Sequence, residues 1–202
     1  KIRDAVIKKG PEASGILAAG HGEGFPSDRG HVTHAYGLYR ERLHVPLVLW
    51  APGFGPGRII DPVGNIDITP TILNAARIRH GGLMGRSLFS YLKGKSDPER
   101  MIFSEKTFFN RKTGSKRIHK SATGLKHKMI MKFTEGREYL FDLENDPNEK
   151  KNIAKKRPEL AKKYRRLLKE FAENTSLALF EDRIRPRIMD SVPENSSYCN
   201  VN

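Results

Sequence analysis

The stretch ILAAGHGEGF, Ile16 to Phe25, sets an apolar run directly against a glycine-rich turn that carries a histidine. A short apolar run stopped by glycine reads as a buried strand. Residues delivered past the C-terminal end of such a strand lie where α/β folds keep their chemistry. His21 and Glu23 occupy that place, and Gly20 stands immediately before them.

Working outward, residues 20–37 have no clear period and read as one long loop, a length that points to function. His21, His31 and His34 all fall in it, beside Glu23 and Asp28, out of seven histidines in the chain. Imidazole and carboxylate are donors that suit a divalent cation. On spacing alone two readings stay open: a shared cation site, or loop imidazoles with separate roles. No H-E-x-x-H zinc spacing is present.

The chain has 202 residues, enough for one large domain or a core with a small satellite. With 37% hydrophobic and 30% charged residues it has the balance of a folded globular protein. No apolar run reaches the roughly 18 residues of a membrane span. The opening KIRDAVIKKG is amphipathic, without the apolar stretch or cleavage site of a signal peptide, and no initiator Met precedes it, so a fragment is expected. The compartment is not readable from this end. A lone cysteine, Cys199, excludes a disulfide framework within the chain. Asn-x-Ser triplets at Asn174 and Asn195 arise often by chance and carry little weight for secretion.

Net charge is +14, with basic residues concentrated after Lys106. A polyanionic partner and a solvated basic face both fit this pattern. Few aromatics are interleaved, which gives nucleic-acid base stacking little support.

Along the chain, residues 2–9 read as a helix end closing at Gly10-Pro11. Strands are expected at 15–19 and within VPLVLWA, 45–51, with a short helical turn before the second. A helix follows at DITPTILNAARI, with Asp67 or Thr69 as N-cap and Pro70 in the first turn. Alternating strands and helices suggest βαβ units and a mainly parallel sheet. After Gly94 the pattern changes: RMIFSEKTFF, LKHKMIMKF and REYLFDL read as strands of an antiparallel sheet. PELAKKYRRLLKEFAEN is an amphipathic helix with Leu160, Tyr164, Leu167, Leu168 and Phe171 on one face. The expected organisation is an α/β core portion at 1–94, a small α+β subdomain at 95–175 and a tail at 176–202.

Three ordered blocks resemble the type I sulfatases: ILAAGHGEGF…LYRERLHVPLVLWAPG, NIDITPTILNAARI…MGRSL, and EYLFDLENDPNEKKNIA with its closing helix. The resemblance runs over roughly residues 2–172. It implies an alkaline-phosphatase-like fold: α/β, a mainly parallel sheet flanked by helices, here partial, plus a small antiparallel sheet with a C-terminal helix. It implies metal-dependent hydrolysis of sulfate esters, with sulfated glycans among the substrates. The family's nucleophile is a formylglycine made in a C/S-x-P-S/A-R motif, and its divalent cation is usually Ca2+, a Lewis acid on the sulfate oxygens.

Carried over residue by residue, His21 matches the family's histidine at the metal. His34 matches a basic position against the sulfate, where an imidazole binds the anion and protonates the leaving oxygen. Tyr39, His44, Pro46 and Leu47 match positions that read as structural, and Asp67 as a helix cap. Two departures stand out. No C/S-x-P-S/A-R motif occurs in the 202 residues, so the N-terminal half of the fold, with the formylglycine, is expected upstream and the chain alone is expected to be inactive. The family's metal-binding Asp is Gly20 here, which removes an oxygen donor and weakens a calcium site; Asp28 is the candidate substitute. Two alternatives remain: a phosphate or phosphonate monoester hydrolase or phosphoglycerol transferase of the same superfamily, and a non-catalytic relative that binds polyanionic glycans.

Overall fold

The computed structural model describes residues 13–24, 37–110 and 113–174. The helix end expected at 2–9 and the tail expected at 176–202 lie outside them.

The chain after residue 100 forms one antiparallel sheet in sequential order: β3 (Ile102–Phe109), β4 (Lys116–Thr123), β5 (His127–Lys132) and β6 (Arg137–Asp142). Tight connections join successive strands, the geometry that antiparallel pairing permits. β4 did not stand out as a strand, because KRIHKSAT places a cation on both of its faces. The ladder explains how that is tolerated. Glu105 pairs in register with Lys120, and their side chains form an ion pair across the two strands.

Each face of this sheet is covered. On one, Ala122, Met129 and Leu140 pack against Ala161, Tyr164 and Leu168 of α4, the helix Pro158–Asn174. Phe171 stacks on Phe103 with ring centroids 4.5 Å apart. This apolar stripe is the one its 3.6-residue period announces. The Tyr164 hydroxyl donates to the His127 carbonyl at 3.0 Å, and burial pushes the phenol up to about 12. On the other face, Ile130 and Phe141 pack against Leu38, with Tyr39 and Leu43 beside them. Leu43 closes α1, the single turn Arg40–Leu43.

The mixed α/β architecture with a small antiparallel sheet and a C-terminal helix is as expected. The one pair of strands described in the first part of the chain differs in direction from the parallel pairing read for it. β1 (Gly15–Ala18) and β2 (Leu47–Trp50) pair antiparallel, Gly15 opposite Trp50 and Ala18 opposite Leu47. The two strands are also not buried as expected: Leu17 and Val48 are 49% and 51% exposed.

The second sequence block folds as one locked unit. A 3-10 turn, Asn65–Asp67, leads into α2, Ile68–Ala75. Asp67 stands at the N-cap position of α2, as expected, but its side chain makes no capping bond to that helix. Its carboxylate accepts from the backbone N–H groups of Gly64 at 3.0 Å and Arg86 at 2.8 Å. It also takes a bidentate pair from Arg100, at 2.6 and 3.0 Å. Fully buried, it needs those partners. Thr71 Oγ1 donates to the Asp67 carbonyl and accepts from the Leu88 N–H. The MGRSL segment, which runs into the single turn α3 (Phe89–Leu92), thus docks on DITPT. Gly85 permits this contact, since a Cβ there would lie 1.9 Å from the Ile66 carbonyl oxygen.

Candidate functional site

The loop leaving β1 is held from two sides. The Gly22 N–H donates to the Arg42 carbonyl at 2.8 Å, and the Ala19 N–H to the Pro46 carbonyl at 3.3 Å. Asn65 Nδ2 donates to the Ala19 carbonyl at 2.9 Å. Gly22 lies so close to α1 that a Cβ would fall 2.1 Å from the Glu41 carbonyl oxygen. The glycines of this stretch therefore seat a strand end against its neighbours.

His21 is exposed at that strand end, its Nδ1 2.8 Å from the Gly22 carbonyl oxygen. When Nδ1 donates to that carbonyl, Nε2 carries the ring's lone pair. Gly20, next to it, has open space around it: a Cβ would meet nothing within 4 Å. His34 and Asp28, along with His31, lie outside the described residues. Among the described residues no three His, Cys, Asp or Glu side chains come together as a metal cluster. One imidazole beside a glycine does not match calcium, which takes six to eight oxygen donors. The described donors alone do not fit that ion.

Glu149, of the DPNEKKN segment, ties the site's scaffold to the sheet. It accepts from the Lys128 ammonium at 2.8 Å and from the Arg40 N–H, at the start of α1, at 3.0 Å. Both charged side chains are 2% exposed. His44 closes the same turn. Burial, followed by Arg40, Arg58 and Lys128, holds its imidazole below its usual value.

The basic run after Lys106 is not simply a solvated face. Lys120 and Lys128 are buried in ion pairs. On the face that carries Ile130 and Phe141, Lys106 stands opposite His119, and His119 opposite Lys132. The Phe108 ring has the Lys106 ammonium 5.3 Å from its centroid and the Arg117 guanidinium 5.7 Å. The His119 ring meets it edge-on at 4.9 Å. Burial pushes the Lys106 ammonium and the His119 imidazole below their ordinary values; Arg42 adds to the first, and Glu135 opposes the second. The sequence signal for this cluster was the alternate spacing of Lys106 and Phe108, and of Arg117 and His119, legible only once both segments are read as strands.

Residues 34–177 match the family described as N-sulphoglucosamine sulphohydrolase, C-terminal. No curated protein sequence matches the chain. Among solved structures it is similar to BT1596, a 2-O GAG sulfatase, at 25% identity and a TM-score of 0.73, over 88% of this chain and 41% of that one. A putative sulfatase from Bacteroides thetaiotaomicron VPI-5482 matches at 24% identity and 0.67, over 83% and 38%. The phosphonate monoester hydrolase SpPMH from Silicibacter pomeroyi matches at 22% and 0.66, over 88% and 39%, a likeness of fold. The chain thus spans about two fifths of the length of these proteins.

Proposed function

The chain belongs to the type I sulfatase family, in the region described as N-sulphoglucosamine sulphohydrolase, C-terminal, and on that premise we propose that it supplies one wall of a sulfuric ester hydrolase site. The observation that carries this reading is the seating of His21. It sits on a strand-end loop fixed to Arg42 and Asn65, inside a scaffold built from all three family-like segments. A rigidly mounted imidazole holds its geometry against a substrate or ion better than one on a free loop.

In this reading the chain's own residues do two things. His21 presents a ring nitrogen at the strand end. His34 binds the sulfate and gives a proton to the leaving alcohol oxygen as the S–O bond breaks. The family's nucleophile, a formylglycine, would be the attacking group, and the 202 residues hold no C/S-x-P-S/A-R motif to supply it. The calcium ion of the family would need oxygen donors beyond the described ones.

The coding sequence on the N-terminal side tests the reading, with mass spectrometry of the encoded protein. A C/S-x-P-S/A-R motif carrying formylglycine supports it. A Thr or Ser nucleophile in another context would move the chain to the phosphate or phosphonate monoester hydrolases.

A further inference from the structure

The residue before His21 is a glycine that its surroundings do not demand. A Cβ at Gly20 would meet nothing within 4 Å, and its φ lies outside the left-handed region. Glycine in such a place leaves the backbone freer than another residue would. That freedom falls on the peptide leading into the imidazole. A side chain from the second sequence block spans it. Asn65 Nδ2 donates to the Ala19 carbonyl at 2.9 Å and makes a longer second contact with the Gly20 carbonyl at 3.5 Å. Both peptide planes before His21 thus turn their oxygens to one amide nitrogen. Asn65 is itself mounted on a firm base. It opens the 3-10 turn Asn65–Asp67, and the Gly64 N–H beside it donates to the Asp67 carboxylate at 3.0 Å. That carboxylate is fully buried and gripped by two nitrogens of Arg100.

From this arrangement we propose that Asn65 is a positioning residue for His21: its amide supplies, from a neighbouring segment, the restraint on the backbone that Gly20 does not. A β-carbon at position 20 should then stand in for the amide. Alanine fits there without contact and narrows the accessible φ and ψ. Gly20→Ala should therefore rescue the loss of Asn65. If Asn65 served only to glue two segments together, a methyl group in open space would restore nothing. That His21 is a site residue rests on the sulfatase reading; that Asn65 orders it does not.

Backbone 15N relaxation of the 202-residue chain, read at the His21 amide, tests it. The order parameter is expected at about 0.85 in the wild type and below about 0.6 in Asn65→Ala. It returns to the wild-type value in Gly20→Ala/Asn65→Ala. Ser87→Ala, which removes an exposed hydrogen bond to Asn74 in the same block, leaves His21 unchanged. Asn65 is exposed, so its replacement leaves the fold intact, which a matching melting temperature confirms. Wild-type order at His21 in Asn65→Ala, or a double variant as disordered as the single one, would overturn the assignment. In the polypeptide extended through its N-terminal coding segment, Asn65→Ala lowers kcat for 4-nitrophenyl sulfate about 10- to 100-fold, and Gly20→Ala restores it. Order lost at His21 with turnover intact removes Asn65 from the reaction. Order lost and rescued as expected, in an extended polypeptide that hydrolyses no sulfate ester, retires the sulfatase reading and keeps the positioning. Turnover that Asn65→Ala leaves intact, with His21 still ordered, does the reverse.

Discussion

Glu149 accepts a hydrogen bond from the Arg40 backbone N–H at 3.0 Å, across 109 residues of sequence. The same carboxylate neutralises Lys128, so one buried residue fastens the α1 turn behind the His21 loop to the sheet. Removing it leaves a buried ammonium and an uncapped turn. Glu149→Ala should cost about 3–5 kcal/mol, as breaking one side of a buried ion pair does. Lys128→Met in the same background should recover a substantial part. Urea denaturation of the single and double variants checks both.

Asp67 and Arg100 make the second buried pair. Asp67→Asn keeps the shape, yet removes the charge that Arg100 meets through two nitrogens. A loss of about 3 kcal/mol is expected. A double-mutant cycle with Arg100→Met should show strong coupling, whereas near-additive losses would mean that Asp67 acts mainly through the Gly64 and Arg86 amides.

These two carboxylates show what the sequence could and could not convey. The α4 stripe was legible because local period and packing face coincide, with Tyr164 and Leu168 buried as expected. The roles of Asp67 and Glu149 were not, because their partners lie 33 and 109 residues away, beyond any local pattern. β4 escaped notice because its cations are matched by Glu105 and Glu135 on neighbouring segments. The antiparallel pairing of β1 and β2 is a matter of strand direction, which apolar alternation does not record. Of the candidate site, His21 fell at a strand end as read. His34 and Asp28 remain expectations from the family resemblance.

Gly20 and Gly22 should respond oppositely to substitution. Gly20→Asp places a side chain in open space and should change stability by no more than about 0.5 kcal/mol. Gly22→Ala drives a methyl against the Glu41 carbonyl and should cost about 2 kcal/mol or more. Thermal melts decide this. If the proposed cation site is formed, calcium titration of Gly20→Asp should also show tighter binding than wild type, since the substitution adds an oxygen donor.

His119 gives an acid-side pH dependence. Burial holds its folded imidazole below the ordinary 6.5, so the unfolded chain takes up the proton first. Its contribution to stability is whole above pH 6.5 and is lost as pH falls below that value toward the folded pKa. Lys132 and Arg117 add to burial in favouring the neutral ring, and Glu135 opposes them. His119→Gln should flatten the pH–stability curve just below 6.5. His44, shifted the same way, leaves a residual slope. An unchanged curve would show that His119 titrates alike in both states.

The most direct measurement is the rate of sulfate release from 4-nitrophenyl sulfate, compared between the polypeptide extended to include its N-terminal coding segment, the same polypeptide with His34→Ala, and the 202-residue chain alone. The account predicts turnover by the extended protein, a fall of about 10²–10⁴-fold in kcat for His34→Ala, and none from the chain alone. Turnover by the chain alone at the rate of the extended protein would contradict it.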